Sequence, residues 1–175
     1  KHNVGDGMQQ ALEYSEILHI PFVFTSNGDS FMFHDKTKST GEVEKEISLD
    51  EFPSPEQLWN KSLQERGIET PEARAIVEQE YHKDDSGMSP RYYQQNAINR
   101  TIEAVAKGQD RIILVMATGT GKTYTAFNII WRLWKKGTKK RILFLADRNA
   151  LLTQTKNGDF SPFGNDIMHI IKNRK

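Results

Sequence analysis

The sequence lacks cysteine and any long apolar run, and each absence excludes a class of protein. Without cysteine, the 175-residue chain can form neither disulfides nor thiolate metal sites. Its five histidines are scattered without ligand-like spacing, which argues against structural zinc. The longest purely apolar run extends from Ile112 to Ala117, too short to span a membrane, and no signal peptide is visible. We therefore expect a protein of the reducing cytoplasm with no membrane partner.

Charge is distributed unevenly along the chain, although the formal net charge is only +1. Residues 1–90 carry 8 basic and 18 acidic side chains, whereas residues 91–175 carry 16 and 5. This split predicts two modules with different partners and makes the second half the candidate for binding a polyanion such as nucleic acid. A solvated surface combined with a nucleotide site is the alternative. Because the chain begins with lysine and ends in a charged string, we expect a piece of a longer polypeptide.

The acidic half predicts a helix, a hairpin and further short helices. Residues 8–18 place Met8, Ala11, Leu12 and Leu18 at helical spacing. The stretch PFVFTSNGDSFMFHD predicts two short strands joined at Asn27-Gly28, with alternating phenylalanines on each strand. Trp59 and Leu63 predict a short helix held against a neighbour, and Thr70-Pro71 predicts the start of another. The best boundary between the two halves is KDDSGMSP, residues 83–90.

The basic half predicts alternating helices and buried strands. A helix begins after Ser89-Pro90, carries an apolar stripe, and ends at Gly108. The continuous apolar runs RIILVMA and RILFLA predict two buried strands of a parallel sheet, with a helix over residues 122–136 between them. Strand, glycine loop, helix and strand within about 35 residues constitute a βαβ unit.

The stretch MATGTGKT, residues 116–123, lies between the first of these strands and the following helix. Gly119 and Gly121 allow successive N–H groups to point into one concavity, which holds phosphate oxygens together with the helix N-terminus. Lys122 adds a point charge for the β- and γ-phosphates, and the Thr123 hydroxyl suits Mg²⁺. An ordinary glycine-rich strand-to-helix turn is the alternative, but the flanking strand and helix favour a nucleotide site.

The same stretch resembles motif I of superfamily-two helicases and translocases, in which the first glycine of the GxxxxGK[ST] pattern is often lost; here it is Met116. The resemblance implies that ATP and Mg²⁺ are bound by six consecutive residues, with the metal at the last of them: Thr118, Gly119, Thr120, Gly121, Lys122 and Thr123. RYYQQNAI resembles the glutamine motif of those proteins, which reads the adenine edge, and its spacing implies Gln94. Gln94 also lies four residues before Ile98 on the apolar stripe, where a buried amide needs a partner. A glutamine bonded to backbone is the alternative.

FLADRNALLTQT resembles motif Ia, whose residues contact the nucleic-acid backbone. The resemblance implies DNA contacts by Asp147, Arg148 and Gln154. Asp147 has a rival role as a Walker-B-type Mg²⁺ ligand, because it follows a predicted strand. It lies only 25 residues after Lys122, however, and helicase acidic boxes come much later in the chain. Alternatively, Arg148 is a surface charge without a role in DNA binding.

A more specific resemblance covers nearly the whole chain. GDGMQQALEYSEILHIPFVFTSNGDSFMFHD, EISLDEFPSPEQLW and PRYYQQNAINR closely resemble the restriction (R) subunit of type I restriction–modification enzymes, and the resemblance continues through LADRNALLTQTKNGDFSPFG. In that family a PD-(D/E)xK nuclease domain precedes two RecA-like motor lobes. The nuclease domain carries a Gln-x-x-x-Tyr motif, which corresponds here to Gln10 and Tyr14. Their i,i+4 spacing places both on one helix face, although such a pair is ordinary in helices.

This resemblance implies an α/β fold composed of the tail of a restriction-nuclease-like domain and the start of a RecA-like P-loop domain with a parallel sheet. Residues 1–50 would be the nuclease tail, 51–88 a mostly helical linker, and 89–175 the N-terminal part of the first motor lobe. The nuclease carboxylates and the acidic ATPase box would lie outside this segment, so the fragment alone should be inactive. Lys1 is not assigned as the nuclease lysine, and three aspartates are interpreted as turn residues: Asp6, Asp29 and Asp35.

The expected parent protein is the motor and nuclease subunit of a type I restriction enzyme, which defends the cell against foreign DNA. It would use ATP and Mg²⁺ to pump duplex DNA past itself and then cut it, with specificity and modification (methyltransferase) subunits as partners. Six basic residues fit a surface for the DNA backbone, or simply complement a helix C-terminus: Arg132, Lys135, Lys136, Lys139, Lys140 and Arg141.

Two other functions remain open at this stage. One is a stand-alone helicase or translocase without nuclease activity, and the other is a non-catalytic interaction protein with a vestigial motor. The intact sequence from Gly119 to Thr123 argues against the second, since a decayed site would rarely keep every phosphate contact. A parallel sheet cut after its second or third strand would leave apolar edges uncovered, so we expect the segment to be marginal or aggregation-prone in isolation.

Overall fold

The computed structural model describes residues 3–38, 40–83, 87, 89–147 and 149–171. The chain packs as two compact units, Lys1–Glu69 and Thr70–Lys175, each of which has its own buried residues. Within the described ranges, every helix is too short or too polar to cross a membrane. The division into three parts at residues 50 and 88 stays a prediction. In the structure, the helix from Pro55 packs with the first unit and the helix from Pro71 with the second.

The first unit contains two helices and one antiparallel sheet. Strands β1, β2 and β3 are hydrogen-bonded in that order, and a short 3-10 turn follows β3. The elements in chain order are α1 Met8–Leu18, β1 Phe22–Ser26, β2 Ser30–Asp35, β3 Glu44–Ser48 and α2 Pro55–Glu65. Helix α1 and the β1–β2 hairpin confirm the sequence prediction. β3 was not predicted, because EKEIS is almost entirely charged or polar and buries only Ile47.

The hairpin gathers its aromatic side chains on one face of the sheet. Phe24 lies opposite Phe33, and their rings stack with centroids 4.7 Å apart. Phe52, which follows β3, contacts both Phe24 and Phe31 at the same centroid distance. Val23 points to the other face and is buried. The phenylalanines of the hairpin therefore share one half-buried face of the sheet, and Val23 lies on the other face.

Helix α1 presents a different face from the one that its apolar spacing predicted. Met8 is buried as expected, but Leu18 is 48% exposed and Ser15 is buried instead. Ser15 is tolerated there because its hydroxyl donates to the carbonyl of Leu12 and accepts from the Lys36 ammonium. At 100° per residue, Leu18 lies to the side of the face that buries Met8 and Ser15.

A buried ion pair attaches α2 to the end of β2. The carboxylate of Asp35 accepts from the Lys61 ammonium at 2.5 Å and from both the backbone N–H and the hydroxyl of Thr37. Burial by itself would raise the pKa of Asp35, but the bonds from Lys61 and Thr37 outweigh it and lower the pKa. The interpretation of Asp35 as a simple turn residue was wrong: it is the last residue of β2, and its charge is buried and paired.

The second unit is built from helices packed on two apolar clusters. Its elements in chain order are α3 Pro71–Val77, α4 Tyr92–Ala106, α5 Lys122–Lys135 and α6 Asn149–Asn157, followed by a 3-10 turn Ser161–Phe163. One cluster joins Ile98 and Ile102 of α4 to Leu133 of α5. The other packs Phe127 against two residues that follow α6, Phe160 and Phe163. The predicted helices α3, α4 and α5 are confirmed, and α6 is an addition.

The two apolar runs predicted to form parallel strands are not strands in the structure. Residues 111–117 and 142–146 pair with no other described segment, and the sheet of the first unit is the one that the described residues form. Ile113 and Val115 are 88% and 93% exposed, and Leu143 and Leu145 are also exposed. A strand requires a hydrogen-bonded neighbour, and a parallel neighbour is supplied only by a remote crossover. The βαβ expectation is therefore realised only as two unpaired segments around a helix.

Buried polar side chains hold α5 to α3, to α4 and to the segment between those two helices. The Arg132 guanidinium donates to Asn99 Oδ1 at 2.8 Å and to the Val77 carbonyl at 2.5 Å, and it lies over the Tyr81 ring. Asn128 Oδ1 accepts from the backbone N–H of His82 at 3.3 Å. Arg132 is 4% exposed, so its assignment to a DNA-contacting basic surface was wrong. Its long side chain reaches inward because α3 and α4 offer oxygen acceptors on that side of α5.

Candidate phosphate-binding loop

The glycine loop has the backbone conformation that a phosphate-binding concavity requires. Gly119 and Gly121 have φ of 78° and 77°, a region that residues with a Cβ rarely adopt. Gly121 is the N-cap of α5, so the loop leads directly into the positive end of that helix. Thr120 secures the turn by donating from both its hydroxyl and its backbone N–H to the Ala117 carbonyl. The first turn of α5 contains no acidic residue that would repel an anion.

Lys122 folds back over the loop instead of extending into solvent. Its ammonium donates to the carbonyl of Ala117 at 3.1 Å and, more weakly, to that of Met116 at 3.4 Å. Both acceptors are neutral, so an anion in the loop would compete favourably for the same charge. Thr123 follows in the first turn of α5 and is half-buried. Backbone donors, one ammonium and one hydroxyl are the set that a triphosphate with its Mg²⁺ requires, so these residues fit that ligand.

Gln94 contacts the loop directly, in an arrangement that only the tertiary structure reveals. Its amide is 6% exposed, accepts from the Arg91 N–H at 2.8 Å and donates to the Thr120 carbonyl at 2.9 Å. The prediction that a buried amide at this position needs partners is confirmed. The partners are backbone groups, which is the alternative that the sequence left open. The role of Gln94 toward adenine stays a prediction.

Sequence reasoning missed the two backbone partners of Gln94, although one of them has a sequence signal. A glutamine three residues after a helix N-cap commonly turns back to the N-cap N–H, and Arg91 and Gln94 have that spacing. The carbonyl of Thr120 has no such signal, because it lies 26 residues further along the chain.

The candidate DNA-contacting residues lie around the start of α6. Asp147 is exposed and precedes the helix, while Gln154 is exposed within it. Arg148 lies outside the described residues. The contacts of Asp147 and Gln154 with DNA stay a prediction.

The residues of the Gln-x-x-x-Tyr motif touch each other on α1. Gln10 Nε2 donates to the Tyr14 hydroxyl at 2.9 Å, and both side chains are exposed. The predicted placement on one helix face is thereby confirmed, and that face lies away from the buried Met8 and Ser15. Their participation in a nuclease stays a prediction.

Among the described residues, no group of three or more histidine or acidic side chains converges as a metal site. Asp84 and Asp85, which the sequence excludes as an acidic box because they precede the loop, lie outside the described residues. The role of Thr123 toward Mg²⁺ stays a prediction.

The loop at the start of α5, together with the Gln94 contact, places the second unit in the helicase-like class of P-loop proteins. Residues 87–175 match the model of the family described as "Type III restriction enzyme, res subunit", and the chain belongs to this family. The chain is also similar to the solved fragment structure of "a putative HsdR subunit of a type I restriction enzyme" from Vibrio vulnificus YJ016. That similarity has a TM-score of 0.72 and 38% identity, over 94% of this chain and 29% of the other.

Named relatives agree with this structural similarity. The chain is 61% identical over 165 residues to the endonuclease subunit of the type I restriction enzyme EcoAI of Escherichia coli, covering 94% of this chain and 20% of the relative. It is 38% identical over 144 residues to the EcoKI endonuclease subunit of Escherichia coli strain K12, covering 75% and 11%. The chain thus spans about a fifth of the length of the first relative. The predicted relationship to type I restriction subunits is confirmed.

Proposed function

We propose that this chain is part of the ATP-dependent DNA-translocating and DNA-cleaving subunit of a type I restriction endonuclease. The observation that carries the proposal is the loop at residues 116–123. It combines two glycines at positive φ, a helix N-terminus and a lysine held only by neutral carbonyls. The 61% identity to an endonuclease subunit supports the same assignment. The segment would supply the ATP site of the motor and the tail of the nuclease domain.

In this proposal, ATP with Mg²⁺ supplies the energy for movement along DNA. Backbone N–H groups from Thr118 to Gly121 would hold phosphate oxygens. The Thr120 N–H and the Lys122 ammonium would both leave the Ala117 carbonyl, and Lys122 would contact the β- and γ-phosphates. The Thr123 hydroxyl would hold Mg²⁺. The two backbone bonds of Gln94 use one lone pair of Oε1 and one N–H of Nε2. Gln94 would read the adenine edge with the remaining lone pair and the remaining N–H.

Duplex DNA would follow the basic surface of the second unit. Asp147, Arg148 and Gln154 would contact the DNA backbone, with a contribution from exposed cations at and beyond the end of α5: Lys135, Lys136, Lys139, Lys140 and Arg141. Arg132 is no longer part of this set, because it is buried. Such contacts to phosphate predict that affinity falls as salt rises.

The beginning of the chain would belong to the nuclease. Residues 1–50 would form the tail of its fold, with Gln10 and Tyr14 as accessory residues near the cut strand, and 51–88 would link it to a RecA-like lobe over 89–175. The hydrogen bond between Gln10 and Tyr14 supports a shared role. Catalytic carboxylates, the acidic ATPase box and the specificity and modification partners would come from outside this segment. A cytoplasmic location follows from the proposed action on intracellular DNA.

The test uses the full-length protein assembled with its methyltransferase partners on unmethylated circular DNA. We expect Lys122→Ala to lose ATP hydrolysis and DNA cleavage together, and Gln10→Ala to keep hydrolysis and lose cleavage. Normal cleavage by Gln10→Ala, or no cleavage by the wild type, would replace the nuclease assignment with a plain translocase. Hydrolysis that survives in Lys122→Ala, or is absent from the wild type, would refute the proposed ATP site and favour a non-catalytic interaction protein.

A further inference from the structure

The Gln94 amide joins two backbone groups that lie far apart in the sequence. Its Oε1 accepts from the Arg91 N–H at the start of α4, which anchors the side chain at 2.8 Å. Its Nε2 donates to the carbonyl of Thr120, in the middle of the glycine loop, at 2.9 Å. Because the amide is buried, these bonds exchange little with water. Gln94 therefore ties the loop to a helix that is itself packed in the core.

The bond to Thr120 sets the direction of one peptide group within the loop. The peptide between Thr120 and Gly121 is planar and trans, so its carbonyl and its N–H point in opposite directions. A carbonyl that is held toward Gln94 consequently directs the Gly121 N–H away from Gln94. That N–H belongs to the N-cap of α5 and is one of the donors that a phosphate-binding loop offers.

Gly121 also leaves the space that this contact needs. A Cβ built on Gly121 would lie 2.4 Å from Gln94 Nε2, closer than atoms can approach. The amide therefore occupies the position that a side chain at residue 121 would take. A glycine peptide is otherwise free to reorient, since glycine loses more conformational freedom on ordering than any other residue. Holding the Thr120 carbonyl removes part of that freedom before any ligand arrives.

We propose that Gln94 is a positioning residue for the phosphate loop, and that it strengthens triphosphate binding whatever base the nucleotide carries. This inference rests on the proposed ATP site and adds to it an effect that is independent of adenine. A residue that only reads adenine would change the preference for ATP over other nucleotides. A residue that orders the loop changes the affinity for the phosphates themselves.

The experiment measures the binding of ATP, GTP and inorganic tripolyphosphate to the full-length protein by calorimetry. The informative variant is Gln94→Met, a neutral side chain of similar length that loses the bond to the Thr120 carbonyl without placing a negative charge beside the phosphates. Gln94→Ala also removes both bonds, together with most of the side chain. The matched control is Gln95→Ala, because Gln95 is the next residue on α4 and its amide donates to the Pro90 carbonyl instead of the loop. Lys122→Ala serves as the control for the phosphate site.

We expect both Gln94 variants to weaken tripolyphosphate and GTP binding about five-fold, because each loses the one neutral hydrogen bond to the loop. Gln95→Ala should leave the binding of both unchanged. Hydrogen exchange should also accelerate in the loop of Gln94→Met but not in that of Gln95→Ala. The inference is overturned if tripolyphosphate and GTP bind the Gln94 variants as tightly as the wild type, whether or not ATP is affected. If the wild type binds no triphosphate, or Lys122→Ala binds all three normally, the proposed ATP site itself fails.

Discussion

The two units of this chain differ in whether their extended segments find hydrogen-bonding partners. In the first unit, β1, β2 and β3 are consecutive in the sequence and form one antiparallel sheet. In the second, residues 111–117 and 142–146 are more apolar than any of these strands, yet they remain unpaired and mostly exposed. Hydrophobicity alone therefore does not make a strand.

The difference lies in where the partner of each segment comes from. An antiparallel partner can follow a turn of two residues, so a hairpin carries its own pairing information. A parallel partner requires a crossover, and the partner of a given strand need not be the next strand in the chain. Helices do not have this limitation, because their hydrogen bonds are internal. This explains why α4 and α5 form in the same unit in which no sheet forms among the described residues.

The largest expected effect concerns hydrogen exchange in the two kinds of apolar segment. In the 175-residue chain, backbone amides of residues 112–115 should exchange roughly a hundred-fold faster than those of the β1–β2 ladder, because unpaired segments need no opening. In the full-length protein we expect residues 112–115 to become protected by strands from elsewhere in the polypeptide. Mass spectrometry of peptides covering both regions measures this difference. Equal protection in the short chain would remove the contrast between the units.

The next effect tests the buried polar contacts that hold the second unit together. Arg132→Met should lower the free energy of opening of α5 by about 3 kcal/mol. The Val77 carbonyl would lose its buried donor, and Asn99 Oδ1 would lose one of its two donors. The exposed Lys135 on the same helix offers the control Lys135→Met, expected to change it by less than about 0.5 kcal/mol. Hydrogen exchange at α5 in the full-length protein gives both values. Similar values for the two variants would place Arg132 on the surface after all.

A smaller, pH-dependent effect is expected in the first unit. The pKa of Asp35 is lowered in the folded protein, so its contribution to stability is present above its ordinary pKa of 3.8 and is lost as the pH falls through the lower folded value. Asp35→Asn should therefore cost about 2 kcal/mol at neutral pH and much less in acid. Glu13→Gln, at an exposed position of α1, is the control. Hydrogen exchange between pH 2 and pH 7 measures the free energy of unfolding of the first unit. The loss caused by Asp35→Asn should shrink as the pH falls. A loss that is independent of pH would contradict the ion pair with Lys61.

The smallest effect concerns a single hydroxyl at the edge of the second unit's core. Tyr81 donates to Asn99 Oδ1 at 2.7 Å, and that oxygen keeps its bond from Arg132 when the hydroxyl is removed. Tyr81→Phe should therefore cost only about 1 kcal/mol, the value of one neutral hydrogen bond. Tyr93→Phe, at an exposed ring of α4, is expected to be neutral. A loss of several kcal/mol in Tyr81→Phe would mean that the hydroxyl supports the whole contact with Arg132.

Much of the local structure could be predicted from the sequence because its signals are local. The helix over 8–18, the turn at Asn27-Gly28 and the N-cap at Thr70 each depend on residues within one or two turns of the chain. β3 could not be predicted, because its charged residues pair with β2 through backbone groups and through side chains such as Glu44 with His34. The burial of Arg132 could not be predicted either, since its acceptors lie on other helices.

The candidate site divides in the same manner. The residues from Gly119 to Thr123 are recognisable by spacing, because a phosphate-binding concavity is built from one continuous stretch of backbone. Gln94 could be identified as a buried amide in need of a partner. That its partner is the Thr120 carbonyl could not be read from either stretch alone.

The sequence by itself determined the helices, the hairpin and the phosphate-loop signature, because each of these is closed by hydrogen bonds or dihedral preferences among near neighbours. The tertiary structure decided which face of α1 is buried, why Arg132 points inward, and which loop group Gln94 holds. It also decided that two strongly apolar runs stay unpaired in this segment, because the described residues supply no neighbouring strand for them. All four outcomes depend on donors, acceptors or packing surfaces brought from distant parts of the chain, and no local pattern encodes their positions.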